Sequence, residues 1–332
     1  MASKRKTLSC GDYHVAWVAP VADLELLPAR LMLDEEYQTP PYDTRYDENT
    51  YICGSIYGHA VVIATCAPGE AGYMNASSVT ASMFKTFPDI RLAMLVGRGG
   101  GIPRQQDTED AFEDIHLGDV VVGWPGDGKP ACVYYDRGGS KLGGVTLVGA
   151  VQNPDWRLPN ALARLKLDHG FGQTSLDQQL ARLQRSERKK QFAHPGLEHD
   201  KLFKASYQHN GNATSLCDNC DSEELVQRAL RGDEERDTFV FHLGRIVTTN
   251  SIVQSGELRD QISSRYDGAL CVESEAAGAD SSRRYLVIRG ISDYADSHRN
   301  DLWRSYAAGK AAAFARELLR RVQPSSTIEG QS

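Results

Sequence analysis

The chain has 332 residues, of which 41% are hydrophobic, and a formal net charge of −7. This apolar content is enough for a substantial core, whereas the negative charge disfavours a nucleic-acid-binding surface, because phosphate backbones attract a basic face. No apolar run approaches the roughly 20 residues that span a bilayer, and residues 1–6 lack the apolar core of a signal peptide. We therefore expect an intracellular, cytoplasmic protein that binds a small molecule rather than nucleic acid or a membrane.

Strand-like runs alternate with helical segments along the chain, which is the signature of a layered α/β sheet. Strands are predicted at residues 14–18, 51–57, 60–65, 92–97, 119–123, 129–134, 239–248 and 285–288. Helices are predicted at residues 22–34, 76–87, 160–188, 256–266 and 303–322. Residues 208–237 are polar and are predicted to be a surface excursion. Residues 1–10 and 323–332 are predicted to be disordered, which leaves residues 11–322 as one domain.

The seven cysteines lie mostly in apolar contexts, so we expect buried thiols and no disulfide framework. Cys217 and Cys220 form a C-x-x-C motif, which can supply half of a zinc site. Histidines such as His209 are close in sequence, but no second Cys/His pair has a suitable spacing. The sequence therefore predicts no metal site.

Two acidic segments in the last quarter of the chain are its most informative feature. Residues 270–278 (LCVESEAAG) place acids where a helix should begin, and residues 289–296 (RGISDYAD) place Ser292 and Asp293 after a strand-like run. In open α/β sheets ligands collect outside the carboxyl ends of the strands, so these acids are expected to converge on one ligand. A purine riboside would use such a pair: one carboxylate to hold the ribose hydroxyls and one carboxylic acid to protonate the departing base.

These segments belong to an ordered series that also includes residues 15–20 (VAWVAP), 95–103 (LVGRGGGIP), 114–122 (DIHLGDVVV) and 200–204 (DKLFK). The series resembles the purine nucleoside phosphorylase and uridine phosphorylase superfamily, especially its branch found in fungal proteins, and extends over most of the chain. The resemblance implies a single-domain α/β fold of the nucleoside phosphorylase type, with a central mixed, twisted β-sheet flanked by helices. It also implies a homo-oligomer and no cofactor.

The resemblance gives the acids distinct roles. It implies that Asp293 protonates the departing base, a contribution of roughly 10²–10⁴-fold, although an aspartate here could also cap a helix or turn. Glu275 would accept hydrogen bonds from the ribose hydroxyls. The Glu-Met-Glu motif of the family is Glu273-Ser274-Glu275 here, so Ser274 replaces the methionine that packs beneath the ribose, and sugar specificity could be looser or shifted. Glu273 is either a direct ligand or a charge at a helix N-terminus.

Glu25 follows the first predicted strand at a position resembling the water-activating glutamate of methylthioadenosine and adenosylhomocysteine nucleosidases. A hydrolase needs such a base, because water is a poor nucleophile unless it is oriented and partly deprotonated. Placing Glu25 there requires one inserted residue, so Asp23 is a competing candidate. Without the resemblance, either residue is an ordinary acid at a helix start.

Gly97, Arg98 and Gly99 begin a glycine-rich loop in which bare backbone can approach a ligand closely. The loop matches neither a Walker motif nor a dinucleotide fingerprint. In phosphorylases of the resembling superfamily an arginine two residues before the first glycine binds phosphate, but this chain has Leu95 there. The difference favours hydrolysis over phosphorolysis, although Arg98 or Arg104 could still bind an anion, such as the phosphates of a nucleotide.

Asn250, Ser251 and Ile252 lie where the resemblance places the base, with polar groups for its edge and an apolar side chain for its face. Ile252 could equally be a core residue. The sequence thus predicts a purine nucleoside N-ribohydrolase. The alternatives are a phosphate-dependent phosphorylase, a nucleosidase acting on ATP or another nucleotide, and a ligand-sensing effector module with little turnover, since family members also occur as modules of larger fungal immune-type receptors.

Overall fold

The computed structural model describes residues 5–69, 72–104, 109–126, 128–135, 149–211, 216–279 and 284–324, and the backbone alone of residues 138–141 and 144–147. Of the ends predicted to be disordered, residues 1–4 and 325–332 lie outside the described residues. Within the first of these ends, Thr7 forms a parallel bridge with Gln38.

Strands and α-helices are interspersed along the described chain, together with several short 3-10 helices and one π-helical turn. The strands are β1 (Val15–Val18), β2 (Glu35–Tyr37), β3 (Ile52–Ile56), β4 (His59–Ala64), β5 (Leu92–Gly101), β6 (Val120–Gly123), β7 (Cys132–Tyr134), β8 (Gly138–Lys141), β9 (Gly144–Leu147), β10 (Phe241–Gly244), β11 (Ile246–Thr248), β12 (Cys271–Glu273) and β13 (Leu286–Asp293). The α-helices are α1 (Leu27–Leu31), α2 (Tyr73–Thr86), α3 (Arg157–Gly170), α4 (Leu176–Ala181), α5 (Gly256–Arg265), α6 (Ala276–Ala279) and α7 (Arg304–Leu319). None of the described helices is both long and apolar enough to cross a membrane.

Eleven of the described strands form one mixed sheet, which confirms the predicted fold class. Its main path runs β10-β6-β13-β5-β1-β4-β3-β2, while β12 pairs with β5 and β11, and β11 also pairs with β7. The central strands β13, β5, β1 and β4 are parallel, whereas β6 and β12 run antiparallel to their central neighbours. The carboxyl ends of β1, β5 and β13 therefore face the same edge of the sheet.

Strand β1 is buried on both faces, as expected at the centre of a parallel sheet. Its side chains alternate between two apolar clusters because successive residues of a strand point to opposite faces. Trp17 belongs to the cluster that includes Phe314 of α7, and Val18 belongs to the cluster that includes Met83 of α2. The two helices thus cover opposite faces and hold the central strands in place.

The alanine-rich helix α7 packs unusually close to β13. A Cβ atom on Gly290 would lie 2.5 Å from the carbonyl carbon of Ala307, so the strand has a glycine where the helix crosses it. The small side chains of α7 and this glycine let the two backbones approach each other. The end of β13, with Ser292 and Asp293, is consequently held against a well-buried helix.

The structure differs from the sequence prediction at residues 97–101, which continue β5 instead of forming a loop. The reason is that β12 and β13 both pair with this end of β5. A Cβ atom on Gly99 would lie 2.6 Å from Cys271 Sγ, and one on Gly100 would lie 2.9 Å from Ala295 Cβ. The glycines therefore allow three strands and the following turn to meet.

Two other predicted elements also divide. The helix predicted at residues 22–34 is a π-helical turn at residues 22–26 followed by the short α1, and the next residues form β2. The strand predicted at residues 239–248 is two strands, β10 and β11, separated by Arg245. The Arg245 guanidinium forms an ion pair with Asp267 at 2.6 Å.

The polar segment at residues 208–237 is tied to the domain by two buried arginines. The Arg228 guanidinium lies 3.0 Å from Asp114 Oδ2 and 3.2 Å from Asp200 Oδ1, and Arg231 lies 2.6 Å from Asp119 Oδ1. All five side chains are at least nine-tenths buried. Ion pairs of this kind fix the segment because leaving one partner alone in the interior is costly.

Candidate functional site

A cleft of about 120 Å³ opens near the carboxyl ends of β1, β5, β12 and β13. Its lining consists of Val21, Glu25, Arg98, Gly99, Gly100, Thr249, Ser251, Ile252, Val253, Val272, Glu273, Ser274, Glu275, Asp293, Ala295 and Arg299. The fold thus brings the predicted site residues together at one cleft, except that Gly97, Asn250 and Ser292 are not part of its lining.

Glu25 reaches this cleft from the turn after β1. Its Oε2 accepts a hydrogen bond of 2.8 Å from the Val21 amide, and its Oε1 accepts one of 2.9 Å from the Arg98 amide. Two backbone donors therefore hold the carboxyl group in one orientation. The competing candidate Asp23 lies in the same turn but is exposed and does not line the cleft.

Burial raises the pKa of Glu25 to about 7. The neighbouring Glu275 carboxylate raises it further, whereas the positive charges of Arg289 and Arg98 oppose the shift. A carboxyl group with this pKa is partly ionised near neutral pH, which suits a general base.

Gly97 lies beneath the Glu25 carboxyl group. A Cβ atom at this position would lie 2.6 Å from Glu25 Cδ, so only glycine leaves room for the carboxyl group. We expect Gly97→Ala to displace Glu25 and to lower kcat about 10²-fold, the loss typical of misplacing a catalytic group by an ångström. The matched control is Gly170→Ala, because nothing lies within 4 Å of a Cβ there. Unchanged kcat in Gly97→Ala would contradict this placement.

Arg289 supports the acids of the cleft from below. It lies within β13 with no exposed surface, and its Nη2 forms ion pairs with Glu273 and, at 3.0 Å, with Glu275 Oε2. Its Nη1 also donates to the Arg98 carbonyl at 3.3 Å. The sequence analysis gave Arg289 no role, although an arginine between apolar strand residues is a sign of a buried carboxylate partner.

Glu273 is a supporting residue in this arrangement. Its carboxylate accepts hydrogen bonds of 3.0 Å from the amides of both Glu275 and Ala276, in addition to the ion pair with Arg289. These contacts occupy the carboxylate and anchor the start of α6. Glu273 thus lies at a helix N-terminus and also lines the cleft, so both roles that the sequence left open, a helix N-terminal charge and a direct ligand, stay open.

Ser274 and Arg289 hold the Glu275 carboxylate from both sides. The Ser274 hydroxyl donates to Glu275 Oε1 at 2.6 Å, while Arg289 binds Oε2. The serine that stands in place of the methionine in the resembling family therefore orients the neighbouring acid instead of providing an apolar surface.

We expect Arg289→Met to destabilise the protein by about 3–5 kcal/mol, because it leaves two buried carboxylates without their shared cation. Chemical denaturation measures the change in the free energy of unfolding. Arg45→Met is the surface control: Arg45 pairs with Asp43 in solvent, where such pairs contribute little, and no measurable change is expected. Equal stability of Arg289→Met and wild type would show that the buried network is not required.

Asp293 ends β13 at the opposite wall of the cleft. Its Oδ1 accepts a hydrogen bond of 3.1 Å from the Ala295 amide, and its Oδ2 accepts one of 2.8 Å from the Ser292 hydroxyl. Arg299 Nε lies 3.4 Å from Oδ2. Ser292 thus orients Asp293 although it does not line the cleft, and Arg299 is a cleft residue that the sequence analysis missed.

The mouth of the cleft is formed by residues after β11. Ile252 is 64% exposed, which shows that it is not a core residue of the described chain, and Asn250 is also exposed. Thr249 and Val253 line the cleft deeper in the same segment. This arrangement suits a ligand with a flat apolar face toward Ile252 and a polar edge toward the hydroxyl groups of Thr249 and Ser251.

Two arginines, Arg98 and Arg299, line the cleft. Arg304 is not part of the lining and pairs with Asp301 at 2.7 Å. Burial and the positive charges of Arg98 and Arg299 lower the pKa of Arg304. Arg104, the other anion candidate, is instead exposed on a different groove, and Leu95 is fully buried in the core.

Comparisons with known proteins show relatives in sequence and in structure. No protein-family model matches the chain. A nucleotide-binding leucine-rich repeat (NLR)-like protein of Hyaloscypha variabilis is 33% identical over 323 residues, which are 97% of this chain and 31% of that protein. The chain thus spans about a third of the length of this curated relative.

The structural relatives are nucleosidases. The 5′-methylthioadenosine/S-adenosylhomocysteine nucleosidase from Neisseria meningitidis, in complex with methylthio-immucillin-A, matches with a TM-score of 0.55 and 18% identity over 93% of this chain and 99% of that chain. Futalosine hydrolase of Helicobacter pylori strain 26695 matches with a TM-score of 0.52 and 16% identity over 93% of this chain and 98% of that chain. The chain therefore shares the mixed α/β fold of these two enzymes, in agreement with the predicted fold class.

Proposed function

We propose that this protein is a purine nucleoside N-ribohydrolase, which cleaves the N-glycosidic bond of a purine riboside to free base and ribose. The observation that carries the proposal is the convergence of three carboxyl groups, those of Glu25, Glu275 and Asp293, on one cleft. A base, a group for the sugar and an acid for the leaving group are the three components that hydrolysis of this bond needs.

In the proposed reaction each acid acts at a different bond. Ionised Glu25 accepts a proton from water as the water oxygen attacks C1′ of the ribose. Glu275, fixed by Ser274 and Arg289, accepts hydrogen bonds from the ribose hydroxyls and faces the positive charge that develops on the sugar. As the bond from C1′ to the base breaks, the Asp293 carboxyl group gives its proton to the purine.

Hydrolysis is favoured over phosphorolysis by the position of Leu95. This residue lies where phosphorylases of the superfamily have a phosphate-binding arginine, and here its side chain is fully buried in the sheet. The names of the two similar solved enzymes, a nucleosidase and futalosine hydrolase, denote hydrolytic reactions and support the same choice.

A nucleotide is the second candidate substrate, favoured by the arginines at the cleft. Arg98 and Arg299 line the cleft, and an uncharged nucleoside would leave the positive charge of Arg98 unused. Guanidinium groups bind phosphate oxygens well because their fork of donors matches phosphate geometry. The 5′-phosphates of ATP or a related nucleotide would fit beside Arg98 if the ribose is held by Glu275.

A ligand-sensing module with little turnover is the third candidate, and the NLR-like relative supports it. The complete set of acids argues for turnover. The predicted homo-oligomeric state and cytoplasmic location stay part of the proposal, and light scattering of the purified protein tests the former.

The deciding experiment is to incubate the purified protein with adenosine, guanosine, inosine and ATP, with and without phosphate, and to identify the products by chromatography. Free base with ribose, or with ribose 5-triphosphate from ATP, in the absence of phosphate supports the hydrolase. Arg98→Met should slow ATP cleavage more than adenosine cleavage if the nucleotide is the substrate. Phosphate-dependent ribose 1-phosphate would instead establish a phosphorylase, and no free base under any condition would favour the sensing module.

A further inference from the structure

A group of metal-ligating side chains lies outside the catalytic cleft, in the polar segment at residues 208–237. One ligand atom each from His209, Cys217 and Cys220 lies within 4.8 Å of the other two. His209 Nδ1 is 3.3 Å from Cys220 Sγ and 3.8 Å from Cys217 Sγ. The sequence predicts no metal site because no second Cys/His pair has a suitable spacing. In the folded chain, however, the upstream His209 lies next to the C-x-x-C motif.

These separations match those within a zinc site. With zinc bonds of about 2.3 Å to sulfur and 2.0–2.1 Å to nitrogen, tetrahedral geometry puts neighbouring sulfur and nitrogen ligands about 3.6 Å apart. The two observed distances from His209 Nδ1 lie on either side of this value. Two thiols and an imidazole are also the ligand types that zinc prefers in structural sites.

Two hydrogen bonds connect the chain segments that carry the three residues. The Asp221 amide donates to the Tyr207 hydroxyl at 2.9 Å, and Asn210 Nδ2 donates to the Asn219 carbonyl at 3.4 Å. These bonds join the chain before His209 to the chain around Cys220. The ligands are thus brought together by contacts that do not depend on a metal, as a preorganised site requires.

His298 is a buried imidazole beside this group, although neither of its ring nitrogens lies within 4.8 Å of all three ligand atoms. Its side chain is 3% exposed, and neither ring nitrogen has a hydrogen-bond partner in the part of the chain that the structure describes. Its ring lies 5.5 Å from the His209 ring, edge to face, and stacks on Phe203 at 4.1 Å. Buried polar groups are normally satisfied, so a histidine with two open nitrogens calls for a partner.

The surroundings of His298 agree with a metal ligand. His298 and Cys217 line the same small cavity of about 30 Å³, next to Asp296. Asp296 Oδ2 lies 3.6 Å from His298 Nδ1, beyond hydrogen-bond distance but close to where a carboxylate would accept the N–H of a metal-bound imidazole. Histidines that bind metals usually donate their other ring N–H to such a group.

We propose that His209, Cys217 and Cys220 bind one zinc ion and that the ring of the neighbouring His298 turns toward the ion to complete a tetrahedral site. The site would join the polar segment to the turn after β13, where the His209 amide already donates to the Ser297 hydroxyl at 2.9 Å. That turn lies between Asp293 and Arg299. The zinc therefore has a structural role, holding the loop that carries two residues of the cleft, and takes no part in the reaction.

The test is the metal content of the full chain, purified without chelators or added metals and measured by mass spectrometry of the elements. We expect about one zinc per chain, as in other structural sites, with loss of this zinc in Cys217→Ser and Cys220→Ser. Cys10→Ser is the matched control, because Cys10 is another partly buried free cysteine, located beside Pro41, and it should keep the zinc. His298→Asn should weaken zinc binding by at least about 10-fold, the lower bound for losing even an indirect support of a metal.

A second measurement on the unaltered chain does not depend on whether the variants fold. Replacing zinc by Co²⁺ should give the strong visible bands of tetrahedral cobalt together with thiolate-to-cobalt charge transfer in the near ultraviolet. A folded chain that holds less than stoichiometric zinc and gives no thiolate band with Co²⁺ would overturn the proposal, as would a Cys217–Cys220 disulfide in freshly purified protein. Zinc that stays tightly bound in His298→Asn would remove His298 from the site. Neither measurement uses catalysis, so the result stands apart from the proposed nucleosidase activity.

Discussion

Replacement of Asp293 by asparagine is expected to lower kcat/KM for the purine nucleoside by roughly 10²–10⁴-fold, the contribution typical of a positioned general acid. The asparagine side chain has nearly the same shape but holds no proton that it can give to the base. Its oxygen can still accept the hydrogen bond of the Ala295 amide, so the turn after β13 should be kept. Steady-state kinetics with the best substrate from the survey measures the loss, and the melting temperature checks the fold.

A substrate with a better leaving group gives this variant a sharper test. In 7-methylguanosine the purine already carries a positive charge and departs as a neutral base, so it needs no proton from the enzyme. We therefore expect Asp293→Asn to retain far more of its activity on 7-methylguanosine than on guanosine. Asp43→Asn is the control, because Asp43 is an exposed aspartate that pairs with the nearby Arg45. Equal losses on both substrates would assign Asp293 to binding or folding rather than to proton transfer.

The sequence predicts the acids of the cleft because strand ends are local features. Asp293 and Glu275 each follow a short strand, and the fold needs only to place both strands against β5 for the two acids to meet. The resemblance to a known superfamily implied the central mixed sheet, which periodicity alone does not give. The pairing of β12 with the end of β5, off the main path of the sheet, was not predicted.

Residues that depend on pairing across the chain were missed. Arg289 follows Glu273 by 16 residues and Glu275 by 14, and the three side chains meet only because β12 and β13 both pair with β5. Arg299 has no distinctive neighbours in sequence, and its proximity to Asp293 depends on how the chain turns after β13.

The glycines of β5 were assigned to a loop for a similar reason. A run of glycines usually interrupts a strand because it offers no side chains to pack. Here the side chains would collide with neighbours from three directions, including the Glu25 carboxyl group above Gly97. Close packing against a functional group is a property of the tertiary fold and leaves no trace in the local pattern.

Replacement of Glu25 by glutamine has the second large expected effect, a loss of roughly 10²–10⁴-fold in kcat with little change in KM. The glutamine has no basic oxygen to accept a proton from water, while the ribose and base contacts lie on other residues. Asp23→Asn is a demanding control, because Asp23 lies in the same turn and competes with Glu25 as the base on sequence grounds. We expect full activity in Asp23→Asn, and the reverse result would exchange the two assignments.

The pH profile tests the same residue through its ionisation. Because burial raises the pKa of Glu25 to about 7, the catalytically useful carboxylate should form as the pH rises through about 7. The wild-type kcat should therefore increase across this range and level off above it. The residual activity of Glu25→Gln should lack this rise, and a rise that persists in the variant would belong to another group.

Folding stability gives an independent reading of the same pKa. The folded protein holds a proton on Glu25 from the ordinary value of 4.5 up to about 7, whereas the unfolded chain has already lost it. The contribution of Glu25 to the free energy of unfolding should thus be greatest at low pH and should fall as the pH rises through about 7. At about 1.4 kcal/mol per pKa unit, the difference in the free energy of unfolding between wild type and Glu25→Gln should change by on the order of 3 kcal/mol between pH 4.5 and pH 8.

The glutamine also loses a hydrogen bond to one backbone amide, but that cost is the same at every pH and shifts the curve without changing its slope. Parallel stability curves for the two proteins would mean that Glu25 titrates normally, and the proposed base would then need another explanation for its activity near neutral pH.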